Sequence, residues 1–306
     1  MKMHRSRIKA FWKVLPVMAL ASLVLGCAGA KVKHTTVVAP TARPVVKDAA
    51  QEELLERYNS FARNLKSVNA TVELKPTAGT KYSGVIDEYH EVKAFLLASR
   101  PWNIRMIGQV PVVGKTVFDM ASDGKNFEVS IPPKNKFLTG PVTLERVSNK
   151  PIENLRPQHL LDAFLWPEVR KEEPVLLEEF NDETTRYYVL TVLRGGYKTE
   201  ILRKIWFDRA DLRVVRLESY GPKGALLADV RYADWQPVET EAGAAASVNE
   251  FPRKIRIERP HDEYTLEMTV TKISMNEAME ASRFQLEAPA GAELVTLGEG
   301  TGEAKQ

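Results

Sequence analysis

Between Ala49 and Leu65 the apolar residues Leu54, Leu55, Tyr58, Phe61, Ala62 and Leu65 recur at steps of three and four. That spacing gathers them on one face of an α-helix. Glu52, Glu53 and Glu56 come early in the segment and Arg63 and Lys66 late, which complements the helix dipole. From Val68 the period changes to two: Val68, Ala70, Val72 and Leu74 alternate with Asn69, Thr71 and Glu73, the pattern of a half-buried strand. Further strands are predicted near 82–89, 92–98, 103–110, 116–122 and 126–131. The breaks between them carry turn chemistry: Pro76 to Gly79, Arg100-Pro101, Gly114, and Ser122-Asp123-Gly124. Such spacing predicts an antiparallel meander.

Over 155–166 the pattern turns helical again, with Leu160, Leu161, Phe164 and Leu165 on one side, Pro157 in the first turn and Pro167 as the stop. Strands resume at 186–194, 199–208, 213–220 and 226–235, with Gly195-Gly196 and Asp208 to Asp211 as hairpin turns. A stretch at 239–249, with Gly243 and an alanine run, reads as a loop. Two last strands are predicted at 254–259 and 264–273; in the second, Tyr264, Leu266, Met268 and Val270 face one side. The fold class is therefore α+β, mostly β: one large, curved antiparallel sheet interrupted by two helical segments. Its two helices must bury their apolar faces against the concave side.

The first 48 residues follow neither pattern. Lys2, Arg5, Arg7, Lys9 and Lys13 make a cationic start with no acid before Cys27, and an apolar run from Val14 to Gly26 follows, broken by Pro16 and Ser22. A membrane-spanning helix needs roughly 20 apolar residues. This run is shorter and fits the apolar region of an export signal. It ends in Leu23-Val24-Leu25-Gly26-Cys27, which resembles a bacterial lipobox. That resemblance implies acylation of the Cys27 sulfur, cleavage before Cys27 and a second acylation at the new amino terminus. Two lipid signals suit stable anchoring, since one acyl chain holds a protein marginally. We therefore expect a signal peptide over 1–26, an anchor and tether over 27–48, a single domain over 49–296 and a disordered tail over 297–306. Cys27 is the one cysteine of the chain, so no intrachain disulfide forms and the fold rests on its core.

Charge changes the picture once the leader is set aside. Removing its five basic residues from 43 leaves 38 against 40 acids, a net charge of −2. A domain so close to neutral has no global basic field for nucleic acid. Gly114-Lys115-Thr116 invites a phosphate-loop reading, but that fingerprint needs glycine where Gln109 stands. His4, His34, His90, His159 and His261 show no metal-ligand spacing. No glycine-flanked serine elbow appears, and the sole cysteine is assigned to lipid. We expect no enzyme, no cofactor and no metal.

Aromatic and methionine positions are more informative. Trp102, Ile104 and Met106 fall on one face of a predicted strand, and Phe118 and Met120 on one face of the next. They are the candidate lining of an apolar cavity, because a sheet this large is expected to outrun the side chains that could fill its hollow. Methionine suits surfaces that accept variable apolar partners, and lipid pockets are concave and mostly apolar. Ordinary core packing is the competing reading.

The order of several short phrases carries a resemblance. After the lipobox and first helix come Val68-Asn69-Ala70, Arg100-Pro101-Trp102-Asn103-Ile104-Arg105, Ser122-Asp123-Gly124-Lys125 and Ile131-Pro132-Pro133. Later come Trp206-Phe207-Asp208, Phe251-Pro252-Arg253-Lys254-Ile255, and Phe284 before Pro289. In this order they resemble the superfamily of outer-membrane lipoprotein carriers and receptors, LolA and LolB, across most of the chain after Ala49. The resemblance implies an unclosed half-β-barrel lidded by helices over a cavity for acyl chains or lipoproteins. The lipobox makes the chain look more like the anchored receptor than the soluble carrier. Ala28, rather than an aspartate, follows Cys27, consistent with sorting to the outer membrane and a domain facing the periplasm. An envelope-stress sensor acting through protein partners is the alternative that the same resemblance leaves open.

Overall fold

The computed structural model describes residues 46–80, 85–144, 154–196, 199–238 and 248–297. Cys27, the signal peptide over 1–26, most of the tether and the tail from residue 298 lie outside the described residues, as does most of the expected loop at 239–249. Helix α1 (Gln51–Asn64) comes first. It is followed by β1 (Ser67–Thr80), β2 (Val85–Glu88), β3 (Val92–Ser99), β4 (Asn103–Gln109), β5 (Thr116–Ser122), β6 (Asn126–Ile131) and β7 (Lys136–Pro141). Helix α2 (Gln158–Phe164) separates these from β8 (Val175–Asn181), β9 (Arg186–Arg194), β10 (Glu200–Asp208) and β11 (Val214–Tyr220). The last strands are β12 (Leu226–Pro237), β13 (Glu250–Arg259), β14 (Tyr264–Met275) and β15 (Glu293–Thr296).

All the strands join one sheet in the order β15-β7-β6-β5-β4-β3-β1-β14-β13-β12-β11-β10-β9-β8, with β2 also paired to β1. The sheet does not close; β8 lies at one edge, and β7 with its short partner β15 at the other. Helix α1 places Leu54, Tyr58 and Ala62, one turn apart, on a single buried face, and Leu65 continues the row. The row meets the inner face of the sheet: Val68, Val72, Leu96, Met106, Ile257 and Leu266 are among its fully buried side chains. Strand β14 alternates as its sequence predicts, with Tyr264, Leu266, Met268 and Val270 inward.

Three features depart from expectation. The sheet is not wholly antiparallel, because β15 runs parallel to β7. A hairpin forces antiparallel pairing, whereas a longer return lets a strand arrive in either sense. Here the return from β14 first crosses the far half of the sheet, where Arg105 Nη1 donates to the Arg283 carbonyl at 3.0 Å and the Leu286 amide to Glu128 at 2.9 Å. Strands β7, β8 and β15 were not foreseen. And Pro76 to Gly79, expected as a break, lie inside β1. The Pro76 carbonyl accepts the Tyr89 amide at 3.1 Å, so its ring nitrogen points to the same side, at the gap between β2 and β3. No ladder bond is lost there, which is where a strand tolerates proline.

One topological fact places the site. The first half of the chain builds the sheet outward from β1 to β7; the second half starts at the opposite edge with β8 and works back to β14 beside β1. The connection from β7 to β8 must therefore cross the whole sheet, and it carries α2. Leu160, Leu161, Ala163, Phe164, Leu165 and Trp166 are buried, and α2 packs against β4 and β13 on the inner face.

Candidate functional site

The crossing segment is bonded to its surroundings at Ala163, Trp166, Pro167 and Val169. Tyr232 donates its hydroxyl to the Ala163 carbonyl at 3.0 Å and accepts the Trp166 indole N–H at 3.0 Å. Arg100 donates to the Trp166 carbonyl at 2.7 Å and also to Leu65 at 3.0 Å and Ala62 at 2.8 Å, carbonyls at the end of α1 that have no helical partner. Tyr58 donates to the Pro167 carbonyl at 2.8 Å, and Arg203 to the same oxygen at 3.0 Å. Asn59 exchanges two bonds with the Val169 backbone, each 2.9 Å. The Trp166 ring stacks on Tyr58 with centroids 5.4 Å apart and touches Phe61 at 4.2 Å. Buried in this cluster, the Tyr58 and Tyr232 phenols are pushed well above the usual tyrosine range by loss of solvent. They act as neutral hydrogen-bonding groups.

Beneath α2 lies a cavity of about 400 Å³. Its apolar wall includes Trp102, Leu161, Leu217, Leu227, Ala228 and Val230. The hollow has a local cause. On β11 and β12 the cross-strand pair Leu217–Val230 is bulky, but the next inward pair, Ser219–Ala228, is small. The helix above it adds another small residue, Ala163. On the other side Trp102 is held over the turn between β5 and β6. Gly124 there has φ +86°, and a Cβ on it would fall 2.2 Å from that of Trp102. The Asp123 carboxylate fixes the turn by accepting the Lys125 and Asn126 amides at 2.8 Å, bonds that hold it below the usual carboxylate range.

Polar groups occupy part of the wall. Arg203 and Arg259 line it, but both guanidiniums are engaged elsewhere, with Glu173 at 3.3 Å and Asp262 at 2.6 Å. His159 also lines it; its Nδ1 lies 2.7 Å from the Tyr264 hydroxyl, and burial, then Arg259 and Arg156, hold it well below the usual histidine range. The Asp162 carboxylate is accessible yet surrounded by protein, the geometry of a group on a cavity wall. Desolvation raises its pKa, against the pull of Arg203, Arg100 and Arg259.

The expected cavity residues separate. Trp102 stands in the turn before β4, is 59% exposed and lines the cavity. Ile104, Met106 and Met120 are fully or almost fully buried in the core and do not line it. Phe118 is half-buried and lies across Gly108, its cross-strand partner, whose Cβ position is 2.2 Å from the ring. Sequence reasoning missed the polar wall, for which the available signal was Asp162 itself, the one charge in the run from Leu160 to Trp166. His90 and His261 are exposed and away from the cavity. Among the described residues no His, Cys, Asp or Glu cluster is arranged to hold a metal, and no helix is long and apolar enough to cross a membrane.

An open sheet with helices over a hollow on its inner face matches the expected unclosed half-barrel with helical lids. No known sequence family and no curated protein matches the chain. Among solved structures it is similar to a LolA superfamily protein from Nitrosomonas europaea, at 14% identity over 78% of this chain and 99% of that one, TM-score 0.46. It is also similar to a DUF1329 family protein from Desulfovibrio piger, at 12% identity over 76% and 96%, TM-score 0.45. A third is a putative outer membrane lipoprotein-sorting protein domain from Vibrio parahaemolyticus, at 11% identity over 75% and 95%, TM-score 0.42. These similarities concern the outline of the fold alone.

Proposed function

We infer that this protein is a lipid-anchored binder of amphiphiles, acyl chains or the acylated ends of lipoproteins, that works without catalysis at the periplasmic face of the outer membrane. The observation that carries the reading is the cavity under α2: about 400 Å³, bounded mainly by apolar side chains, with a few polar groups converging on it. That volume is within the roughly 300–1,000 Å³ of small-molecule sites. Cys27, acylated as its lipobox implies, supplies the membrane attachment, and residues between it and α1 supply reach. Mass spectrometry of lipids extracted from the purified protein tests the reading. Amphiphiles in stoichiometric amount, lost when Ala228 is replaced by Trp to fill the hollow, are the expected result. A protein that is lipid-free from cells and takes up no added acyl compound would remove the reading and leave the partner-binding sensor in its place.

A further inference from the structure

We propose that the cavity selects an amphiphile by a head group that donates hydrogen bonds and carries no negative charge, a glycerol- or sugar-type polyol, with Asp162 as its receptor. The inference rests on the amphiphile-binding reading and deepens it. One acceptor on the cavity wall is idle, and a second lies buried behind it. Among the described residues Asp162 makes no hydrogen bond and no ion pair, although it sits beside a largely apolar surface. One turn earlier on the same face of α2, the buried Gln158 Oε1 also accepts nothing, while its amide nitrogen is committed to the Val142 carbonyl at 2.9 Å.

The donors are in the opposite condition. Arg203 donates to Pro167 and pairs with Glu173, and Arg259 pairs through Nε with Asp262, so each wall guanidinium already has a carboxylate partner. A ligand entering this wall thus meets one acceptor that lacks a donor and two cations already paired. A carboxylate or phosphate head would face the unpaired Asp162 charge with no free guanidinium to answer it. An ammonium head would pair with Asp162 but would bring three N–H groups to a largely apolar wall that offers this one carboxylate, leaving the others unmet. A neutral polyol avoids both penalties and supplies hydrogens to Asp162, while its chain lies along Leu217, Val230 and Trp102.

The test uses the full chain carrying Cys27→Ser, which bears no acyl group of its own, titrated calorimetrically at pH 7 with three eight-carbon probes. These are 1-octanoylglycerol, octanoate and octylamine, all monomeric at working concentration. We expect octanoylglycerol to bind at least tenfold more tightly than octanoate, and that ratio to fall below threefold in Asp162→Ala. Because Asp162 is accessible and unpaired, its removal spares the fold, and a thermal melt of each variant checks this. Octanoate binding as tightly as octanoylglycerol overturns the head-group proposal but leaves the amphiphile reading standing. Preference for octylamine overturns it in favour of an ammonium ligand. Binding of none of the three by a folded protein removes both readings together.

Discussion

Truncating Met106 and Trp102, four residues apart, separates solid core from cavity wall. Met106 is 0% exposed and sits between two cross-strand neighbours, Leu96 and Met120, that are themselves buried. Both neighbours belong to strands fixed by their own ladders, so the space left by Met106→Ala cannot collapse. A buried methionine truncation of that kind costs about 2–5 kcal/mol, and the rigid surroundings place this one at about 3–4 kcal/mol. In a domain of this size about 1 kcal/mol moves the melting temperature by roughly 2–4 °C, so a drop of about 6–16 °C follows. Trp102→Ala removes a larger side chain, but one 59% exposed and packed on one side against the Gly124 turn. Its cost should stay below about 1.5 kcal/mol, close to that of an ordinary half-exposed position. Binding reverses the order: Trp102→Ala weakens uptake of an acyl probe and Met106→Ala leaves it unchanged. Urea melts and probe titrations on the two variants read out both quantities. If Met106→Ala costs less than Trp102→Ala, or abolishes probe binding in a folded protein, the hollow extends to β4 and the division drawn here between core and wall is wrong.

Other consequences follow from the same contacts. Arg100→Met leaves three carbonyls without their charged donor, and since hydrogen bonds to charged groups contribute about 1.5–3 kcal/mol each and overlap here, a loss of about 3–5 kcal/mol is expected in denaturant melts. Gly108→Ala drives a methyl into the Phe118 ring and should cost about 1–3 kcal/mol, with Phe118→Leu restoring most of it in the double variant. His159 is held neutral in the folded protein and, when unfolded, titrates near the ordinary histidine value of about 6.5, so unfolding takes up a proton below that pH. Its contribution to stability is therefore full above pH 6.5 and declines as the pH falls toward the depressed folded value. His159→Gln should flatten the stability profile between pH 6.5 and 5, and an unchanged profile would refute the assignment. Asp162 works in the opposite sense. Its raised folded pKa makes the ionised form a burden above the ordinary carboxylate range, so Asp162→Asn should raise the melting temperature at pH 7 and show no gain at pH 3.

How much was legible in the sequence depended on whether an element answers to one neighbour or to several. Helix α1 and strands β3, β4 and β14 each bury one face, and their alternation marks them within two residues of the observed bounds. Strand β7, Lys136-Phe137-Leu138-Thr139-Gly140-Pro141, contains both glycine and proline, and its pairing with β6 is a choice made by the sheet rather than by its own composition. Strand β8 is an edge strand whose side chains alternate weakly and whose Glu178 and Glu179 break any apolar stripe. The site was partly legible for the same reason. Trp102 stands beside a turn with its own signature. Ser219, Ala228, Asp162 and Arg203 come from four separate elements, and nothing local says that the crossing helix will lie over the one small cross-strand pair on β11 and β12.

That crossing also decides how a ligand enters. A lid that opens would have to release the bonds from Arg100, Tyr58, Asn59, Arg203 and Tyr232 that hold residues 163 to 169, together with the buried Trp166 ring. Even at a modest net value near 1 kcal/mol per bond, that release approaches the whole stability of an ordinary domain, about 5–15 kcal/mol. The segment after Leu161 is thus a strap, and not a door. The exposed members of the wall, Trp102, Leu227 and Asp162, mark the mouth instead. Entry past them needs a side-chain rotation of Trp102 alone, which runs on a nanosecond scale in exposed residues. Trp102 fluorescence should therefore respond to acyl probes at the speed of diffusion, and Trp166, Trp206 and Trp235 give the internal control. A slow response, on the millisecond scale of segment opening, would show that the strap does open and that the bonds counted here are remade in the course of binding.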